Sequence, residues 1–232
     1  MSEKIPTSLL QIDPWLASLP AEIMAAIVDK CKSKTLIAGQ YLHRKNDPGD
    51  ALYCVLEGKI RVSNVSSGGQ ELILTWLAKG SWFGEISLFD GLPRTHDAIA
   101  EQDTHLLKLS NHDFHSLLNA YPSLYPHFMR LLCQRLRTTF NLLDDIGSLS
   151  LKQQLCRRLL MLADGFQTHL SPQSDSPITL NVSQDALALL LHSSRQTINK
   201  LLQELQHSGA VTLKYGQLTI KNRAQLTSLC MT

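Results

Sequence analysis

Between residues 50 and 110 the apolar side chains come in short runs, each closed by glycine or a polar turn. Leu52–Leu56, Lys59–Val65, Glu71–Leu77 and His105–Leu109 are rich in β-branched, aromatic or aliphatic residues, and Gly39, Gly49, Gly58, Gly68-Gly69 and Gly80 punctuate them. That pattern predicts strands of a roll, closed or nearly so. Downstream the spacing lengthens. Met129, Leu132, Leu136, Thr139, Leu143 and Ile146 alternate by three and four along a helix expected over 126–147, which predicts a coiled-coil seam between two copies. A helix packing its stripe on its own domain is the competing reading. Phe128, Leu131 and Leu142 form a second apolar set that widens the face enough for both contacts. Gly147 is expected to end the helix and Ser150–Gln153 to cap the next one, leaving 144–150 as a hinge. Upstream, Pro20–Lys30 reads as a helix burying Ile23, Met24 and Ile27, and Leu9–Leu19 as another.

The pattern from Ser183 to Leu202 is that of a helix-turn-helix. Ser183 is a helix N-cap, Leu187, Ala188 and Leu191 face inward, and His192-Ser193-Ser194 makes the turn. A second helix starts near Arg195, buries Ile198, Leu201, Leu202 and Leu205, and stops before Gly209. Its other face carries Gln196, Asn199 and Lys200, with Ser194 and Arg195 at its start and Ser183 and Gln184 at the start of the preceding helix. These side-chain types read base edges and grip phosphates. A helical hairpin of no special purpose is the alternative. Residues 210–213 and 217–220 flank Lys214-Tyr215-Gly216 as a β-hairpin wing, with Lys214 at the tip either on a phosphate or merely solvated.

Gly84-Glu85-Ile86-Ser87-Leu88-Phe89-Asp90-Gly91-Leu92-Pro93-Arg94-Thr95 offers a turn, a carboxylate and a guanidinium to one small anion. Gly84 lets backbone approach a ligand and exposes amides behind it. Glu85 can accept from a ribose hydroxyl, and Arg94 supplies a permanent charge in a fork that matches phosphate oxygens, with the Thr95 hydroxyl beside it. A Glu/Arg pair closing a turn is the plain alternative.

With these strings in place, residues from about 15 to 110 resemble the cyclic-nucleotide-binding domain of the Crp/Fnr transcription regulators. Pro48-Gly49-Asp50-Ala51-Leu52-Tyr53 and Val55-Leu56-Glu57-Gly58-Lys59-Ile60-Arg61-Val62 also match that pattern, and the resemblance extends over nearly the whole chain. It implies an α+β chain: a cyclic-nucleotide-binding β-roll of the jelly-roll type over 1–125, a dimerisation helix over 126–147 and a winged helix-turn-helix over 148–232. It implies an effector site of Gly84, Glu85, Ile86, Ser87, Arg94, Thr95 and His96, with cyclic AMP or cyclic GMP as ligand. In the family's cyclic-AMP-binding members a Thr-Ser pair on the dimer helix meets the purine, and Leu142-Leu143 stand at that place here, without the hydroxyls. His96-Asp97 replaces small residues; strand alternation would send His96 inward with Arg94. A glycine usual in the helix-turn-helix turn is His192, expected at positive φ. The family also implies that a loop near Ser171–Pro177 touches RNA polymerase, against the plainer reading of a solvated Ser/Pro loop.

Composition narrows the alternatives. The 232 residues carry a net charge of only +2, but residues 152–232 hold 8 Lys/Arg against 4 Asp/Glu, which puts the basic surplus at the helix-turn-helix end. Five scattered cysteines without a Cys-x-x-Cys pair argue against a disulfide framework or zinc knuckle. His112 and His115 lack a third ligand, and no nucleophile elbow or phosphate loop occurs, so no enzyme is expected. No apolar run spans a membrane and no signal peptide opens the chain, so a cytoplasmic location is expected. The expectation is a homodimeric regulator that binds an inverted repeat in double-stranded DNA under control of a small effector. The alternatives are a non-nucleotide signal such as haem, a gas or a metabolite, no ligand at all, or a winged helix that serves only protein contacts.

Overall fold

The structure, a computed structural model, describes residues 19–65, 69, 71–163, 177–180, 182–214 and 217–230. They group into two units, Met1–Asn64 with Leu74–Arg135 and Val65–Ile73 with Leu136–Thr232. The expected helix over 9–19 lies almost wholly outside the described residues, as does the 171–177 loop except for Pro177.

Among the described residues the first helix is α1 (Ala21–Lys30), which buries Ile23, Met24 and Ile27 as their spacing predicts. Eight strands follow: β1 (Lys32–Leu36), β2 (Tyr41–His43), β3 (Ala51–Glu57), β4 (Lys59–Val65), β5 (Glu71–Ala78), β6 (Trp82–Phe83), β7 (Asp97–Ala100) and β8 (Thr104–Ser110). They make two four-stranded sheets, ordered β1-β8-β3-β6 and β2-β7-β4-β5. A short helix α2 (Glu85–Asp90) leaves β6, and α3 (Asn111–Ala120) and α4 (Leu124–Ser148) follow β8.

Strand β3 shows how the roll is filled. Ala51 to Val55 are buried in succession, without alternation, because both faces of that sheet are covered. Ala51, Tyr53 and Val55 join Leu36, Ile60, Leu77, Phe83, Ala98 and Leu106 in one core, drawn from both sheets. Leu52 and Cys54 join Trp82, Leu107 and Leu109 in a second core with residues of α1, α3 and α4. Each large side chain fully buried in this way contributes about 1.5–3 kcal/mol. Phe89 of α2 meets Phe114 of α3 and Phe128 of α4 edge-on, with ring centroids 5.2 and 5.3 Å apart, so α2 is held by both helices.

Helix α4 departs from expectation at both ends. It starts before Pro126, whose missing N–H falls in the first turn, where no intrahelical bond is required. Gly147 does not break it. The chain leaves the helix only after Ser148, whose hydroxyl donates to the Asp144 carbonyl at 2.6 Å. The expected capping box then starts α5 (Leu151–Ala163): the Ser150 N–H donates to Gln153 Oε1 at 2.8 Å, and the Gln153 N–H to Ser150 Oγ at 3.4 Å.

The rest of the second unit is β9 (Ile178–Leu180), α6 (Gln184–Leu190), α7 (Arg195–His207), β10 (Val211–Lys214), β11 (Gln217–Ile220) and α8 (Arg223–Ser228). Ser183 caps α6 by accepting from the Ala186 N–H, and Ser194 caps α7 by accepting from the Thr197 N–H. Between them His192 takes φ of 50°, as expected, while the Ser193 N–H reaches back to the Ala188 carbonyl at 2.9 Å. This is the Schellman closure of a helix. Leu187, Ala188, Leu191, Ile198, Leu202 and Leu205 are buried as predicted, and Leu201 is half-buried. The wing hairpin forms one residue later on its first strand than expected, with Lys214 paired to Gln217 instead of standing in the tip, and it gains a third strand, β9, beside β11.

Candidate functional site

In the roll, Gly84 lies at φ 99° and caps α2, a conformation that keeps L side chains out. A Cβ there would stand 2.7 Å from the Arg94 guanidinium. Arg94 is 3% exposed. Its Nη1 donates to the Gly84 carbonyl at 2.9 Å, and its Nη2 donates to Asp50 Oδ1 at 2.9 Å and to the Ala51 carbonyl at 2.7 Å. Asp50 also receives Lys108 Nζ at 2.7 Å and the Tyr53 hydroxyl. Burial pushes the Asp50 carboxyl up, but hydrogen bonds from Lys108, Arg94 and Tyr53 outweigh it and hold the pKa at about 2. Arg94 is thus the hub of an internal ion network.

Glu85 is fully buried at the start of α2, and Arg135 of α4 donates Nη1 to its Oε1. One of its two carboxylate oxygens thus already has a cationic partner, 50 residues away in sequence. Ser87 is buried, Ile86 and Thr95 are exposed, and His96 is half-buried with its Nδ1 3.0 Å from Thr95 Oγ1. Strand alternation does not set the direction of His96, because residues 91–96 precede β7 and carry no strand geometry. Burial, with Lys45 beside it, lowers the His96 pKa. Leu142 is buried and Leu143 exposed, so the two leucines expected to act together point different ways.

The fit of a cyclic nucleotide turns on these valences. Glu85 Oε2 and Arg94 Nε are each buried without a hydrogen-bond partner among the described residues, so each keeps one open valence. The fork of Arg94 does not fit a phosphate as it stands, since both terminal nitrogens are engaged and Asp50 counters the charge.

Three positions that sequence reasoning passed over, Arg135, Thr138 and Asp145, come from one helix. Phe128, Leu131, Arg135, Thr138, Leu142 and Asp145 recur at three and four along α4, and all but the half-buried Arg135 are buried. Arg135 meets Glu85, and Asp145 meets Arg157 of α5. The signal was a stripe at helical period broken by polar residues. The other stripe stays open: Met129, Leu136, Phe140, Leu143 and Ile146 are each between 53% and 60% exposed, Leu132 is half-buried and Thr139 exposed.

The second unit displays its polar groups outward. Arg195, Gln196 and Lys200 are exposed on α7, and Ser183 and Ser194 have their hydroxyls in the caps. Arg195 lies 3.3 Å from Asp185, both well exposed. Gln184 Nε2 donates to Asn199 Oδ1 at 3.1 Å, which fixes the Asn199 amide and leaves its donor side outward-facing work. Lys214 is exposed at the end of β10, and the tip residues 215–216 lie outside the described set.

Known proteins place both units. Residues 33–121 match the model of the cyclic nucleotide-binding domain, and residues 153–229 match that of the Crp-like helix-turn-helix domain. The chain is 31% identical over 191 residues to the cyclic AMP receptor protein of Thermus thermophilus, covering 82% of this chain and 84% of that one. It is 26% identical over 227 residues to the global nitrogen regulator of Synechocystis sp., covering 95% and 97%. Among solved structures, a Crp/Fnr-family transcriptional regulator of Thermus thermophilus superposes with a TM-score of 0.67 at 28% identity, over 87% of this chain and 99% of that one. Among the described residues no helix is long and apolar enough to cross a membrane, and no group of three or more metal-ligating side chains gathers.

Proposed function

The chain belongs to the Crp/Fnr family of DNA-binding transcription regulators, and on that premise we propose that it acts as a homodimer on an inverted repeat, under control of a small effector sensed by the roll. The observation that carries the DNA reading is the face of α7, where Arg195, Gln196 and Lys200 stand exposed on a helix whose start is fixed by the Ser194 cap and the Schellman turn before it. Those side chains suit major-groove edges and phosphates, with Lys214 of the wing on the backbone nearby. The open stripe of α4 supports pairing of two copies, because exposed apolar side chains at this spacing gain by facing their own kind. Two linked recognition helices then read half-sites roughly 10 bp apart.

The effector has two readings. The match to a cyclic nucleotide-binding domain, together with the open valences on Glu85 and Arg94, supports cyclic AMP or cyclic GMP. The Asp50 clasp on Arg94 and the leucines at 142 and 143 favour a different signal, and of the two relatives above one is named for cyclic AMP and the other for nitrogen regulation. Selection from random duplex DNA tests the first part: recovery of a palindromic site is expected, and only unrelated, asymmetric sequences would end the reading. Leu136→Asp should separate the dimer in light scattering and weaken DNA binding with it. Titration calorimetry with both nucleotides at millimolar concentration decides the effector, since heat from either selects the nucleotide and silence from both selects the other signal.

A further inference from the structure

Gln184 opens α6, and Asn199 lies just past the first turn of α7, 15 residues on in sequence. Their side-chain amides meet: Gln184 Nε2 donates to Asn199 Oδ1 at 3.1 Å. Both residues are half-buried, whereas Arg195 and Gln196, one turn before Asn199 on the same face, and Lys200 beside it are exposed. The Asn199 amide thus sits within the set of side chains turned outward. Resting on the reading of α7 as the helix that enters the major groove, we propose that Gln184 is a specificity-determining positioning residue, which holds the Asn199 oxygen and so turns the Asn199 N–H2 group toward the base edges.

An asparagine amide left to itself has two faces. Half a turn about its last torsion exchanges an acceptor for a pair of donors at little cost, so it suits every base in the groove. The donor from Gln184 removes that freedom, because only Oδ1 can accept it. Serine caps fix the starts of both helices, and Leu187, Ala188, Ile198 and Leu202 are buried, so the backbones that carry the two amides are set before DNA arrives. The ion pair of Arg195 with Asp185 also joins the helices, but it is well exposed, adds little and yields when a phosphate competes for the guanidinium. The amide pair is neutral and half-buried, and a phosphate has no charge there to compete for. An N–H2 group facing the groove makes a definite demand. Guanine, adenine and thymine each carry an acceptor on the major-groove edge, whereas cytosine carries only the N4 donor. Cytosine is therefore rejected at the base that Asn199 faces, since two donors would meet there with neither satisfied.

The test is selection from random duplex DNA with the full chain and its variants, read as base preference at each position. Asn199→Ala marks the position concerned, as the place in each half-site where preference disappears. There the wild type should disfavour cytosine about tenfold. Gln184→Glu reverses the pair: a carboxylate only accepts, so Asn199 gives it the N–H2 group and presents Oδ1, and cytosine should become favoured at that position alone. The added negative charge weakens all sites alike and leaves their ranking intact. Gln184→Leu releases the amide, and the bias against cytosine should vanish; it decides the matter by itself if the glutamate variant melts early. If Gln184 merely joined α6 to α7, its loss would lower the melting temperature or overall affinity and leave base preference unmoved. That result overturns the proposal, as does a wild type indifferent to cytosine there. Failure of the wild type to select any symmetric site would instead bring down the DNA reading itself, and the role of Gln184 with it.

Discussion

Arg94 and Lys200 are both cations that the sequence offers to an anionic partner, and the fold treats them oppositely. Arg94 is sunk in the roll, where Asp50 and two backbone carbonyls engage its terminal nitrogens, whereas Lys200 stands exposed on α7. A buried cation held this way owes its position to the interior and destabilises the fold when removed. An exposed cation costs the fold little to lose and acts on whatever docks. The roll therefore has chemistry that is largely satisfied from within, and the DNA-binding unit has chemistry awaiting a partner.

The strongest way to break this contrast is Arg94→Ala. It should lower the stability of the roll by about 3 kcal/mol, because a buried carbonyl, a part-buried carbonyl and the Asp50 carboxylate lose a donor. Denaturant unfolding followed by tryptophan fluorescence reads it, since Trp76 and Trp82 are buried in the roll. Unchanged stability would mean that the guanidinium is free for a ligand after all. Lys200→Ala should leave stability unaltered and cost about 1–3 kcal/mol of DNA affinity, measured by anisotropy over a salt series. A loss confined to a few sites marks base reading; a uniform loss with a shallower salt slope marks phosphate contact.

His43 extends the contrast into pH. Burial, aided by the charge of Arg94, lowers its pKa from 6.5 to about 4. A folded pKa below the unfolded one means that the unfolded chain binds the proton first, so stability is full above pH 6.5 and falls as the pH drops toward 4. The loss should be up to about 3 kcal/mol across that window, and His43→Gln should reduce it in pH-dependent melts. Asp50, held at about 2, stays ionised throughout and does not mask the effect. The smallest change is expected at the surface: Asp185→Ala removes an exposed partner of Arg195 and should alter stability by about 0.5 kcal/mol or less.

How much of this was legible depended on how local the physics was. The helix-turn-helix could be read residue by residue, down to the Ser183 and Ser194 caps and the positive φ of His192, because caps, turns and helical period act within a few positions. Strand β4 fell on its expected bounds, Lys59–Val65, for the same reason. Strands β1, β2, β6, β7 and β9 and helix α2 were passed over. Lys32–Leu36 buries only its last residue and shows no apolar alternation, and it is a strand because β8 pairs with it some 70 residues on. In the effector string the residue types were plain but their partners were not. Asp50 stands 44 residues from Arg94 and Arg135 stands 50 from Glu85, distances over which sequence spacing holds no signal.

The turn at His192 has a bearing on thermal tolerance. Its backbone angle is set by the Ser193-to-Ala188 hydrogen bond and by the serine caps on either side, while the imidazole itself is exposed. The left-handed conformation costs a non-glycine residue of order 1 kcal/mol, and that cost falls on the one turn that aims the recognition helix. The position is therefore a reserve of stability: a side chain with no inward contact can be exchanged for glycine, and the melting temperature raised, without moving a single group that faces DNA.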